Sequence, residues 1–174
     1  MPLSLHSAFV PSALQMLGTC EHLIDKAESW CAETGCNPDE LVGGRIHHEM
    51  LPFAYQVKSV AVHSAGAIEG VRAGSFSPDV APPPEDFVGL RAALAGARNT
   101  LEAVEDAEME GFIGRPMRFE FRTTSLPFTA EDFLLSFSQP NFYFHAATAY
   151  DILRLKGVPI GKRDFMGRLR LAPG

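Results

Sequence analysis

The residues best suited to chemistry in this sequence are two histidines and a glutamine that fall on predicted helices. His145 follows Asn141 by one helical turn, and the apolar spacing beyond it places His145 on the inner side of its helix. Glu49, Gln56 and His63 recur at seven-residue steps, so they lie along one line of an earlier helix. A buried polar side chain without a partner costs ~1–3 kcal/mol, and helical bundles build metal sites from such facing residues.

Two interpretations of these histidines stay open. In the first, His63 and His145 are metal ligands, and a carboxylate or water completes the site. In the second, His63 is exposed and His145 only forms a hydrogen bond with a neighbouring side chain. The first interpretation predicts chemistry, and the second predicts a structural role.

Three other polar groups are predicted to be structural. His47 and His48 are adjacent at a predicted helix start and point about 100° apart, so they are not expected to face one metal ion and are expected at the surface. Arg45 and Glu49 have the i, i+4 spacing of a surface ion pair. The glycine-spaced tail at 161–167 lacks the GxxxxGK[ST] pattern of a phosphate-binding loop and is predicted to fold back on the helices.

Length and composition are typical of one soluble globular domain spanning residues 1–174. Hydrophobic residues make up 46% and charged residues 21%, which argues against disorder. The net charge is −6 and no basic face stands out, so nucleic acid and anionic membranes are not expected partners. No apolar run approaches a membrane span, and no secretory signal is evident. Three cysteines without a CxxC spacing indicate reduced thiols and a cytoplasmic location.

Apolar periodicity predicts an all-α domain with four long helices. A strand signal lies between the third and fourth helices, where the period changes to two at 115–128, and it indicates half of a small hairpin or an extended strap. A short helix capped by Thr129 follows, running to Phe137. Four long helices with one long crossover are typical of a four-helix bundle. The long helices are predicted at about 7–32, 44–72, 84–111 and 140–156.

Several motifs resemble one bacterial family. They are Arg45-Ile46, Glu49-Met50, Pro52, Gln56-Val57, the run PNFYFH at 140–145, TAYDILR at 148–154 and GKRDF at 161–165. Together they resemble an uncharacterised family of unknown function within the DinB/YfiT-like superfamily of metal-dependent bundles. The resemblance implies an up-down-down-up four-helix bundle, a homodimer, and a long link between the second and third helices.

The resemblance also implies a metal site built from one histidine on the second helix and an HxxxH pair on the fourth. His145 matches the first histidine of the pair, but Ala149 occupies the position of the second. His63 is the expected second-helix ligand, because antiparallel packing sets the start of the fourth helix beside the end of the second. With two histidines, a bound Zn or Ni ion needs a further ligand, and otherwise the site is weak or vestigial.

Two main functions are consistent with these residues. One is a metal-dependent enzyme of the thiol-transfer or hydrolytic kind, acting on a small molecule in contact with Gln56, Asn141, Tyr143 and Tyr150. The alternative is a non-catalytic helical bundle that binds a small ligand or a partner protein, with His145 structural. A stress-related regulatory dimer is a third option, for which the sequence offers no specific residue.

Overall fold

The computed structural model describes residues 3–172, which form a mostly helical fold with one small sheet. The helices are α1 (Leu5–Thr34), α2 (Pro38–Val42), α3 (Phe53–Ala61), α4 (Ala67–Ala73), α5 (Phe87–Glu102), α6 (Asp106–Glu110), α7 (Ala130–Asp132), α8 (Gln139–Leu155) and α9 (Lys162–Met166). The strands are β1 (Ser75–Phe76), β2 (Pro116–Phe121) and β3 (Thr124–Thr129). Two π-helical segments, Val62–Gly66 and Phe133–Ser138, join α3 to α4 and α7 to α8, so each pair forms one continuous helix.

Helix α1 confirms the first predicted helix, extended by two residues at each end. Ser4 caps its start by accepting a hydrogen bond from the backbone N–H of Ser7. Gly35 ends it with a φ of 73°, a left-handed conformation that favours glycine. The predicted inner face is buried throughout: Phe9, Ala13, Leu17, Cys20, Ile24, Ala27 and Cys31.

The second predicted helix starts nine residues later than expected, at Phe53 instead of residue 44. Pro52 disfavours a helical conformation in the residue before it, so the chain stays irregular up to that point. The backbone N–H of Phe53 closes this loop by donating to the Gly44 carbonyl at 2.8 Å. The predicted helical pair of Arg45 with Glu49 is therefore wrong. Arg45 donates instead to the Met50 carbonyl at 2.5 Å.

The third predicted helix is shorter than expected and broken. It begins at Phe87 rather than at residue 84, because Asp86 caps it by accepting from the Gly89 N–H at 2.7 Å. It ends at Glu102, and α6 follows after a three-residue break. The inward spacing is confirmed by the buried side chains of Phe87, Leu90, Leu94, Ala97, Leu101 and Val104.

The period-two segment forms a hairpin. Strand β2 pairs antiparallel with β3 and parallel with β1, in the order β1-β2-β3. Met117 is buried, and Phe119 lies on the same face and packs against Phe137 with ring centroids 4.8 Å apart. Phe128 of β3 packs against Phe133 at 5.9 Å. The hairpin therefore covers the second π-helical segment.

The long helices share one core. Helix α1 contacts α5 and α8, and α3 contacts the same two helices from the other side. Phe53, the first residue of α3, is fully buried in this core. Truncating a buried phenylalanine to alanine costs ~3–5 kcal/mol, so these contacts hold α3 firmly against its neighbours. In the described range, no helix has the length and apolarity needed to cross a membrane.

Candidate functional site

His145 is held by a glutamine from the facing helix. Gln56 on α3 is 2% exposed, and its Nε2 donates to the Leu51 carbonyl at 2.8 Å. Its Oε1 therefore faces His145 as an acceptor and lies 2.7 Å from Nδ1. Nδ1 of His145 must carry the proton, which leaves the lone pair on Nε2. His145 thus supplies the hydrogen bond that the buried Oε1 of Gln56 needs.

His63 is oriented by a serine in the same way, though more loosely. The hydroxyl of Ser138 donates to the His63 carbonyl at 3.0 Å, so its oxygen is free to accept from Nδ1 of His63. That Nδ1 lies 3.4 Å from the Ser138 oxygen, a long contact for a hydrogen bond. His63 is therefore also protonated on Nδ1 and keeps its lone pair on Nε2.

The two imidazole rings stack on each other. Their centroids are 5.7 Å apart and their planes differ by 15°. Aromatic rings surround the pair: Phe76 and Phe137 beside His63, and Tyr55 and Phe144 beside His145.

Both histidines are neutral near pH 7. Burial, and then the charge of His145, lowers the pKa of His63 to about 4. Burial alone lowers the pKa of His145 to about 4. Neutral imidazole is the form that binds a metal, so both rings can act as ligands near pH 7.

The Nε2 atoms of both rings have access to solvent. Within residues 3–172 neither atom has a hydrogen-bond partner, yet no buried side-chain nitrogen or oxygen there lacks one. Each Nε2 atom therefore keeps some contact with solvent.

Both π-helical segments converge on this site. Val62–Gly66 contains His63, and Phe133–Ser138 contains Ser138 and leads into α8, which carries His145. A π-helical turn holds an extra residue, disturbs the regular helix, and occurs often at functional sites. Here the two segments contact each other through His63 and Ser138.

The pair has no third protein ligand among the described residues. Ala149, one turn after His145, is fully buried and has no donor atom. The same part of the chain holds one group of three or more histidine, cysteine or acidic side chains that could share an ion, and it lies elsewhere. The donor set of the pair is therefore two imidazole nitrogens.

The other group consists of His47, His48 and Glu49. Its ligand atoms lie within 4.8 Å of one another, and all three residues are exposed, as predicted for the two histidines. They lie in the irregular loop before α3, so the helical geometry that separates adjacent side chains does not apply. The expectation that His47 and His48 cannot face a common point is therefore wrong.

The remaining predicted ligand-binding residues do not join the histidine pair. Asn141 donates from Nδ2 to the Phe137 carbonyl at 2.7 Å and so holds the start of α8. Tyr143 is exposed and lines a cleft of about 230 Å³ against α1. Tyr150 packs edge-on against Phe165 at 5.7 Å. Only Gln56 of the predicted set contacts the pair.

Sequence reasoning missed Ser138, Tyr55 and Phe76 as neighbours of the pair. Ser138 lies in a π-helical segment, where the 3.6-residue period that locates inner faces does not hold. Phe76 reaches His63 from a two-residue strand, which is too short to give a periodic signal. The seven-residue line of Glu49, Gln56 and His63 also fails at its first member, because Glu49 precedes the helix.

The chain is similar to one described family and to one solved structure in particular. The family described as Domain of unknown function (DUF1993) matches residues 5–166. The crystal structure of a DinB family member protein from Shewanella denitrificans at 1.83 Å resolution has a TM-score of 0.80 and 24% identity, covering 97% of this chain and 96% of that one. That likeness shows a DinB-like helical fold, and the predicted resemblance is confirmed. No curated protein matches the sequence.

Proposed function

The chain belongs to the DUF1993 family, a domain of unknown function, and on that premise we propose that His63 and His145 form a small-molecule site that holds a weakly bound divalent metal. The observation that carries this proposal is the pair of accessible Nε2 lone pairs on two stacked, neutral rings. Imidazole nitrogen suits zinc and nickel. With two protein ligands, water or the small molecule must fill the remaining positions.

The chain's own residues prepare the two rings for this role. Gln56 fixes the tautomer of His145, and Ser138 orients His63, as outer hydrogen bonds do for metal-binding histidines. Because the pKa of each ring is about 4, protons do not compete for Nε2 near neutral pH. A bound metal would supply an activated water or thiol nucleophile, which agrees with thiol transfer or hydrolysis as the reaction class.

The same proposal includes an up-down-down-up four-helix bundle as the scaffold. Contacts run from α1 to α5, from α5 to α3, from α3 to α8 and back to α1, which supports a closed ring of four long helices. A homodimer and the identity of the metal stay predictions.

A non-catalytic role is the second candidate, and one observation favours it. Nδ1 of each histidine already donates to a protein acceptor, Gln56 or Ser138, and no buried side-chain nitrogen or oxygen in residues 3–172 lacks a partner, so the cluster needs no ligand. In that case His145 stabilises the contact between α3 and α8. The two candidates predict different effects of replacing His145: lost ion binding in the first, and lost stability alone in the second.

Metal titration by calorimetry, with elemental analysis of the loaded protein, tests the proposal. The exposed group of His47, His48 and Glu49 can bind metal by itself, so the starting protein is the His47→Ala/His48→Ala variant. We expect it to bind about one zinc or nickel ion per chain through the pair. Adding His145→Ala or His63→Ala should abolish that binding.

Thermal melting separates the two candidate functions. Each variant is melted with and without the metal, and a bound ion should raise the melting temperature only where both histidines remain. If the starting variant binds no metal, or binds it equally well after His145→Ala, the metal proposal fails. A lower melting temperature in His145→Ala without any change in metal binding would favour the structural role.

A further inference from the structure

A cleft of about 600 Å³ lies between α1 and the C-terminal segment, which comprises α9 and the residues that follow it, 162–172. Pro11, Leu14 and Gly18 line its α1 side, and Arg163, Arg168 and other residues of the C-terminal segment line the opposite side. Neither His63 nor His145 borders it. Its size falls within the range of small-molecule sites.

The cleft is rich in arginine although the chain has a net charge of −6. Arg98 at its edge is already bound to Glu21, with Nη2 2.6 Å from Oε2. Arg163 and Arg168 form no ion pair with any carboxylate in residues 3–172. Arg170 donates to the hydroxyl of Ser12 at 3.2 Å and likewise has no acidic partner in that range. Three guanidinium groups thus border the cleft with donors left over.

The one carboxylate in the lining does not neutralise these arginines. Asp164 accepts from the backbone N–H of Gly161 at 2.7 Å and lies 2.9 Å from Nε2 of His22. The hydrogen bond from His22 is the main cause that lowers the pKa of Asp164. Its two oxygens are therefore used to fasten the segment, and the cleft keeps a positive balance.

The backbone at 165–167, between Arg163 and Arg168, is anchored to α1 before any ligand arrives. Gln15 donates to the Met166 carbonyl at 2.8 Å, and Thr19 donates to the Phe165 carbonyl at 3.1 Å. Gly167 passes so close to α1 that a Cβ there would lie 2.5 Å from the Thr19 hydroxyl, and its φ is 60°. A ligand therefore does not have to order this backbone, which favours affinity.

We propose that this cleft binds a small anion with an apolar body. Arg163, Arg168 and Arg170 hold the carboxylate, phosphate or sulfonate head, since the planar guanidinium group matches such oxygens. The apolar body lies along Pro11 and Leu14. This site does not depend on the histidine pair.

Fluorescence titration with anilinonaphthalene sulfonate tests the site, because this probe joins an apolar body to one anionic head. The Arg163→Gln/Arg168→Gln variant should bind the probe about tenfold more weakly than the wild-type protein. The matched control is Arg115→Gln/Arg118→Gln, which removes the same charge from exposed positions outside the cleft. The control should keep the wild-type affinity, and equal melting curves should confirm that both variants are folded.

A neutral probe and inorganic phosphate complete the experiment. Phenylnaphthylamine has a similar body without the anionic head, and its binding should not distinguish the two variants. Phosphate should displace the sulfonate probe from the wild-type protein. Equal affinity of the sulfonate probe for wild type and Arg163→Gln/Arg168→Gln would overturn the proposal, as would equal weakening by the control variant.

Discussion

Two groups of histidines in this molecule differ in burial and in the number of metal-ligand atoms that they offer. The interior pair, His63 and His145, is partly buried, stacked, and oriented by hydrogen bonds to Ser138 and Gln56. The surface group, His47, His48 and Glu49, offers one more ligand atom but is exposed. Its internal contacts are the hydrogen bond from the Glu49 N–H to His47 at 3.3 Å, a 3.8 Å approach of the Glu49 carboxylate to His47, and the two histidine rings, which are tilted by 41° with centroids 4.2 Å apart.

The comparison distinguishes two properties of a metal site: how many ligands it has, and how well those ligands are held in place before the ion binds. Exposed side chains lose rotamer freedom when they grip an ion, and solvent screens their charges. The interior pair has already lost that freedom, and burial keeps both rings neutral. We therefore expect the pair to bind more selectively than the surface group, although Ala149 leaves it one ligand short. Three predictions test this comparison, from the largest expected effect to the smallest.

The interior pair should make stability depend on pH. The pKa of each ring is about 4 in the folded protein and about 6.5 in an unfolded chain. Between these values the unfolded chain binds protons that the folded protein does not, so stability is lost as the pH falls through this window. Between about pH 7 and pH 5 we expect a loss of about 1–2 kcal/mol per histidine, measured by urea unfolding.

The His63→Gln/His145→Gln variant provides the control for this dependence. Glutamine keeps hydrogen-bonding groups at both positions but does not titrate, so the dependence on pH should become flatter. If this variant keeps the full wild-type dependence, the interior pair is not its source.

The Gln56→Leu substitution, beside the interior pair, should lower the free energy of unfolding more than any single substitution in the surface group. It leaves Nδ1 of His145 and the Leu51 carbonyl without their partners. We expect the free energy of unfolding to fall by ~1–3 kcal/mol. His48→Ala, at an exposed position, should change it by less than about 0.5 kcal/mol. Equal losses of unfolding free energy in Gln56→Leu and His48→Ala would contradict the expectation that the interior pair is more firmly held than the surface group.

The Ser138→Ala substitution should have the smallest of these effects. Its contact with Nδ1 of His63 is 3.4 Å, longer than the 2.7 Å contact that holds His145. We expect a loss of about 1 kcal/mol. Nitrogen NMR should find the His63 tautomers mixed, while His145 stays protonated on Nδ1. If Ser138→Ala lowered the free energy of unfolding more than Gln56→Leu does, His63 would be the more firmly held of the two histidines, contrary to this prediction.

Much of the fold could be predicted because it depends on periodic burial. The inner faces of α1 and α5 follow directly from apolar spacing. The level of His63 beside His145 follows from antiparallel packing of neighbouring helices. The start at Phe53 could have been read from Pro52, but the seven-residue line through Glu49 suggested a longer helix. The mostly helical fold is confirmed, and the up-down-down-up order stays a prediction.

The rest of the site depends on departures from regular structure. The two π-helical segments change which side chains face inward, so Ser138 could not be found from a 3.6-residue period. The convergence of His47, His48 and Glu49 arises in an irregular loop, whose shape depends on the hydrogen bond between Phe53 and Gly44. Neither the π-helical segments nor the shape of this loop can be predicted from local residue propensities.

By itself the sequence determined the inner faces of the long helices, the inward position of His145, and the absence of a second histidine at Ala149, because these depend on residue type and spacing. The tertiary structure alone decided that Gln56 and Ser138 orient the two rings and that burial keeps them neutral. It also decided that the arginines of the C-terminal segment face α1 across a cleft. These features require residues distant in the chain to meet, and such contacts are set by packing of whole elements rather than by local pattern.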